Sequence, residues 1–283
     1  MARLKAVFGC SFDVLKLIVM PEGPSIVILK EEVQAFKGKT VQAISGNAKI
    51  DLQRMNGRKV NDFLSWGKHF LICFDGFYIR VHLLLFGSYR VNERREMAPR
   101  ISFQFENGEL NFYNCSVKLN EGEPGDFYDW EVDTMSEKWN PSKALKALQG
   151  MKDTEACDAL LDQNVFAGSG NIIKNEVLFQ RHINPETLVE TLTTPEKKEL
   201  IKALRDYCFD FYTWKKAYVL KKHWQVYRAS MCPDCHLPLT RRHTGKTNRR
   251  SFFCTHCQVL RRSLPVARKK KSHQKLTKTT TRA

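Results

Sequence analysis

Four of the nine cysteines carry the clearest chemistry in this sequence. Cys232-Pro-Asp-Cys235 and Cys254-Thr-His-Cys257 read C-x2-C-x18-C-x2-C. Each knuckle turns two thiolates toward one ion, and two knuckles close a tetrahedral four-sulfur shell. One structural Zn2+ is therefore expected. All its ligands come from the protein, so no position stays open for substrate. The intervening residues suit a two-stranded hairpin, with strands over 240–245 and 249–253. That hairpin carries Arg241, Arg242, His243, Lys246, Arg249 and Arg250, a set suited to phosphate contacts. Many zinc ribbons share this spacing, so it speaks for a metal more than for a function.

A second constellation is Gly168-Ser-Gly170-Asn171, which sits between helical patterns. Glycines permit a tight turn and the close approach of another backbone. A helix starting at Asn171 would expose N–H groups able to bind a phosphate. Taken alone, the segment also fits an ordinary capped turn between helices, with Asn171 as the cap.

Elements must hold these residues in place. Residues 20–135 look β-rich, with short apolar or alternating runs such as HFLICF and RISFQF. Asp75-Gly76 and Asn107-Gly108 break them, which favours hairpins. A helix is expected over 25–36, after Pro24. Leu84-Leu85-Phe86, read by local pattern alone, is a buried strand. From residue 141 the spacing becomes helical. Ala144, Leu145 and Leu148 follow the start signal Asn140-Pro141-Ser142. Further helices are expected around Ala156, Leu160 and Leu161, around Ile172, Ile173, Val177 and Leu178, and around Leu200, Ile201, Leu204 and Cys208. Residues 136–139 read as a linker.

Length and charge narrow the partners. A chain of 283 residues accommodates two domains and a small appendage. The formal charge is +16, which points to a polyanion, with nucleic acid first and an anionic membrane surface second. Residues 258–283 hold nine Lys or Arg and no acid, the composition of a disordered basic tail. No apolar run approaches the roughly 20 residues of a membrane span, so no membrane association is expected. The odd cysteine count and the C-x-x-C pairs favour a reducing, cytosolic compartment over a disulfide scaffold.

With these motifs in hand, the chain resembles the formamidopyrimidine-DNA glycosylase and endonuclease VIII family, over roughly residues 20–258. Pro21-Glu22-Gly23-Pro24 resembles its N-terminal catalytic motif. Gly67-Lys68-His69-Phe70-Leu71 resembles the strand bearing its catalytic-site lysine. Residues 161–171 resemble its helix–two-turn–helix, and Asn248-Arg249-Arg250-Ser-Phe-Phe-Cys254 the hairpin before its second knuckle. These four segments come in the family's order, and the Pro-Glu-Gly-Pro form favours the endonuclease-VIII-like branch.

The resemblance implies an α+β multidomain fold. A β-sandwich with flanking helices spans 20–135, a helix–two-turn–helix domain 136–227, a zinc finger 228–260 and the basic tail 261–283. It implies a bifunctional glycosylase and abasic-site lyase acting on oxidised bases, pyrimidines preferred, in base-excision repair. Pro21 would attack the anomeric carbon as a secondary amine, and Glu22 would serve as general acid/base. An iminium and β,δ-elimination would follow. Lys68, Asn171 and Arg249 would hold phosphates, and Leu84, Leu85 and Phe86 would fill the hole left by a flipped base. No organic cofactor is implied. The partner is damaged DNA, the expected state a monomer, and the expected location cytoplasmic, on the bacterial nucleoid when bound.

Two features depart from the family. Ser25 stands where the family has Glu, removing part of a supporting hydrogen-bond network. Pro21 also follows twenty residues, and an amide nitrogen cannot attack. The expectation is that residues 1–19 are a misassigned extension and that Met20 is the start. A non-catalytic zinc-finger relative that recognises damaged or structured DNA is the alternative.

Overall fold

The computed structural model describes residues 21–262. The extension expected at 1–19 and all but the first two residues of the tail lie outside the described residues.

Helix α1 (Gly23–Glu32) has Pro24 in its first turn, where the ring presets the backbone, and it buries Ile26 and Leu29. Ten strands follow among the described residues, eight of them in the N-terminal part: β1 (Ala43–Ser45), β2 (Asp62–Trp66), β3 (His69–Cys73), β4 (Phe77–His82), β5 (Ser88–Val91), β6 (Ile101–Phe105), β7 (Gly108–Tyr113) and β8 (Ser116–Glu121). They form two antiparallel four-stranded sheets, ordered β1-β6-β7-β5 and β2-β3-β4-β8. Gly76, at φ 77°, turns β3 into β4. The β6–β7 turn falls on Glu106-Asn107, because Phe105 pairs with Gly108. Phe63, Phe70, Ile79, Phe103 and Phe112 meet Ile26 and Leu29 in one core. Each such side chain contributes about 1.5–3 kcal/mol on burial.

The C-terminal part has its own core. Helix α2 (Pro141–Gly150) starts where expected: the Asn140 side chain accepts from the N–H groups of Ser142 and Lys143. Helix α3 (Ala156–Ala159) is a single turn, so Leu160 and Leu161 belong to the turn that follows it. Helix α4 (Asn171–Gln180) is buried from Asn171 through Phe179. Helix α5 (Thr194–Lys216) opens with a capping box between Thr193 and Glu196. Strands β9 (Thr240–Thr244) and β10 (Arg249–Phe253) form the expected hairpin.

Glu31 joins α1 to α5, accepting from the Tyr212 hydroxyl at 2.6 Å and pairing with Lys216 at 2.9 Å. Arg261 and Arg262 are not loose tail. The Arg261 carbonyl accepts from Leu188 N–H, its guanidinium pairs with Glu196 at 2.9 Å, and Arg262 reaches Glu155. Ordered packing thus runs two residues into the segment expected to be disordered.

Candidate active site

Three glycine-bearing segments cross at the junction of the two cores. Gly23 N–H donates to Gly168 O at 2.8 Å. A Cβ on Gly168 would stand 3.2 Å from the Gly23 Cα and 3.1 Å from Thr134 Oγ1, at a φ of +102° that disfavours any side chain. Gly67 packs over the same spot, where a Cβ would meet Gly168 N at 3.0 Å. The crossing brings together the segments holding Pro21-Glu22, Lys68 and Asn171.

Asp133 pins the crossing from beneath. Its two oxygens accept from Gly67 N–H at 3.1 Å and Met135 N–H at 2.9 Å. Burial raises its carboxyl pKa to about 6, although those bonds pull the other way.

Glu22 is 1% exposed. Its carboxylate accepts from the N–H groups of Ile172 at 2.7 Å and Ile173 at 3.3 Å, the first turn of α4. Those groups, expected to be available for a phosphate, are therefore occupied by the protein's own carboxylate. Gly170 makes room for it, since a Cβ there would lie 2.4 Å from Glu22 Cδ. Burial raises the Glu22 pKa, opposed by the positive charge of Lys68 and by the backbone donors. The carboxyl thus keeps its proton to higher pH than an exposed glutamate, as suits a general acid. Pro21, next to it, is half-buried.

Lys68 is half-buried rather than a free surface lysine. Desolvation lowers its pKa, Glu22 raises it and Arg249 lowers it again. Asn171 is not the helix cap. Gly170 holds that position without a side-chain bond, and Asn171 opens the helix. Its amide donates to Arg250 O at 3.0 Å, which ties α4 to the hairpin. Pro21, Glu22, Lys68, Asn171 and Arg249 thus come from four distant segments to one place.

Leu84, Leu85 and Phe86 occupy the loop between β4 and β5. They are 50%, 42% and 66% exposed, and Leu84 has a positive φ of 53°. The buried strand suggested by local pattern is absent there. Ser25 is buried and its hydroxyl has no partner, so it supplies no bond in place of the family's Glu.

The four cysteines close a shell at the far end of the hairpin. Cys232 Sγ and Cys257 Sγ lie 3.8 Å apart, Cys235 Sγ and Cys254 Sγ 3.4 Å apart, and all four sulfurs fall within 4.8 Å of one another. A tetrahedral ion with bonds of about 2.3 Å needs sulfurs roughly 3.8 Å apart. The cluster fits a metal ion.

Two family models match in chain order. The formamidopyrimidine-DNA glycosylase N-terminal domain matches residues 20–117, and the H2TH domain of the same glycosylase matches residues 131–208. The chain belongs to the formamidopyrimidine-DNA glycosylase and endonuclease VIII family. Among family members, it is 32% identical to Endonuclease 8-like 3 of Mus musculus over 73% of its own length and 36% of that protein. It is 32% identical to Endonuclease 8-like 2 of Bos taurus, over 64% of its length and 58% of that protein. The chain thus spans well under two thirds of these relatives. The family fold is shared with a formamidopyrimidine-DNA glycosylase from Lactococcus lactis solved non-covalently bound to DNA containing an AP site. That match has a TM-score of 0.74 and 19% identity, over 84% of this chain and 99% of the other. A viral DNA glycosylase matches equally well, at a TM-score of 0.74 and 22% identity, over 84% and 100%.

Motif reading missed three features around this crossing. Asp133 is one acid among many in sequence. Lys174 lies in a helix buried on all sides, next to Asn175 and Glu176, which are buried too. The third is the glycine crossing, whose glycines lie in separate motifs. His69 and His82, 5.5 Å apart on neighbouring strands, also went unread. Burial holds both below the ordinary histidine range, His69 at about 3.

Proposed function

We propose that this chain is a bifunctional DNA glycosylase and abasic-site lyase that removes oxidised bases, pyrimidines above purines, during base-excision repair. The observation that carries the reading is the seat of Glu22. A buried carboxyl with a raised pKa lies next to Pro21, held by the first turn of α4 and facing the charge of Lys68.

In this reading a free Pro21 amine attacks the anomeric carbon of the damaged nucleotide. A terminal amine titrates at about 7.7–8.0, so a useful fraction is neutral at cellular pH. Glu22 gives its proton as the sugar ring opens and the base leaves, producing an iminium on Pro21. The iminium acidifies the neighbouring sugar carbon, and the flanking phosphates depart by β,δ-elimination. Lys68, Asn171 and Arg249 hold the phosphates around the lesion. Leu84, Leu85 and Phe86 fill the vacated stack. Cys232, Cys235, Cys254 and Cys257 hold one structural Zn2+, which stiffens the hairpin bearing Arg249. The chain works as a monomer in a reducing, cytoplasmic setting.

Borohydride trapping on a duplex with an oxidised pyrimidine tests the chemistry. A covalent protein–DNA adduct, lost in Pro21→Gly, is expected. The mechanism requires Pro21 to be the mature N-terminus, which intact-mass measurement checks. A chain that keeps residues 1–20 has an amide at Pro21. It then fits the second reading, a non-catalytic binder of damaged DNA. Lyase activity in a chain shown to retain Met1 would overturn the proline mechanism.

A further inference from the structure

The first turns of α4 are used twice. Backbone N–H groups of Ile172 and Ile173 hold Glu22, while side chains of the same turns hold strand β10. The Arg250 carbonyl accepts from Asn171 Nδ2 at 3.0 Å, and Lys174 Nζ and Asn175 Nδ2 each approach it at 3.4 Å. Asn175 Oδ1 accepts from Phe252 N–H at 2.8 Å. A carbonyl has two lone pairs, so three donors share it imperfectly. The short bond of Lys174 goes instead to Ser251 Oγ, at 2.8 Å. Ser251 Oγ in turn lies 2.6 Å from Thr244 Oγ1 on the partner strand.

Lys174 is 0% exposed, and its bonding partners are a hydroxyl and a carbonyl rather than a carboxylate. Burying an ammonium this way is costly, and burial lowers its pKa to about 8. A methionine would fill similar space without that cost. What the ammonium supplies is direction: it grips β10 at residues 250 and 251, immediately after Arg249.

We propose that Lys174 is a positioning residue for Arg249. It locks β10 to the helix that seats Glu22, so the phosphate-holding guanidinium and the general acid keep one spacing. This inference rests on the reading of Arg249 as a DNA-phosphate ligand.

The test uses the full zinc-loaded chain and a duplex carrying a tetrahydrofuran abasic-site analogue, with affinity measured across a salt series. Losing one phosphate contact makes the slope of log affinity against log salt shallower by about one. Arg249→Ala sets that reference. Lys174→Met is expected to reproduce the shallower slope at unchanged zinc content. In the Arg249→Ala background it should cause no further loss, the mark of coupled residues. Ser251→Ala removes no charge, so a shallower slope there reports position alone. An unchanged slope in Ser251→Ala overturns the inference whatever Lys174→Met does, and so do additive losses in the double variant. An unchanged slope in Arg249→Ala overturns the reading of Arg249 and this inference with it. A shallower slope there beside an unchanged one in Ser251→Ala overturns this inference alone.

Discussion

Glu22 Oε1 accepts a 2.7 Å hydrogen bond from the backbone N–H of Ile172, 150 residues further along the chain. A helix start leaves N–H groups without partners and carries partial positive charge. Nearby side chains usually meet both needs, but Gly170 at the cap has none. A carboxylate from the other core meets them instead. The contact that seats the candidate acid therefore also completes α4 and joins the two cores.

Gly170→Ala tests that seat. Its Cβ would fall 2.4 Å from Glu22 Cδ, so the carboxyl must move while the surrounding cores stay intact. A displacement of about 1 Å can cost roughly a hundredfold in rate. We expect a single-turnover excision rate lowered by at least tenfold, with circular dichroism unchanged.

Asp133 sets a pH dependence. Its carboxyl rises from 3.8 unfolded to about 6 folded. Between those values the folded chain keeps a proton that the unfolded chain has released. This contribution to stability is full below about pH 4 and is lost as pH rises through about 6, worth up to roughly 3 kcal/mol. Asp133→Asn lacks this titration. The parent chain's advantage over it in urea unfolding should shrink between pH 4 and pH 7, and a constant gap would refute the assignment.

Phe86→Ala separates function from stability. The ring is 66% exposed, so the unfolding free energy should stay within about 0.5 kcal/mol of the parent. Excision from a lesion duplex should fall roughly tenfold, because the vacated stack loses its filler. Parallel denaturation and cleavage assays check both halves.

Cys254→Ser opens the four-sulfur shell directly after β10. Metal content measured by atomic emission should drop, and duplex affinity should weaken by more than roughly tenfold as the hairpin loses its anchor. Unchanged affinity in the metal-free variant would dissociate the cluster from DNA binding.

Short-range signals were legible in this sequence. Asn140-Pro141 announced α2, Asp75-Gly76 the β3–β4 turn, and the C-x-x-C pairs the sulfur shell, because each acts through neighbours a few residues apart. Helix α4 was legible as an element from Ile172, Ile173, Val177 and Leu178, but its environment was not. Its polar residues Lys174, Asn175 and Glu176 are buried along with the apolar ones, because two other elements cover the side that local spacing would leave to solvent. Leu84-Leu85-Phe86 misled local reading because apolar character implies burial only when something covers it.

By itself the sequence determined most of the elements, the four cysteines that cluster and, through motif order, the family and its candidate residues. Only the tertiary structure decided what those residues touch. It gave the α4 N–H groups to Glu22 rather than leaving them open to a phosphate. It also set Gly23, Gly67 and Gly168 against one another and turned Asn171 toward Arg250. The reason is physical: backbone donors at a helix start are identical in every helix. Which acceptor reaches them depends on how the two cores meet.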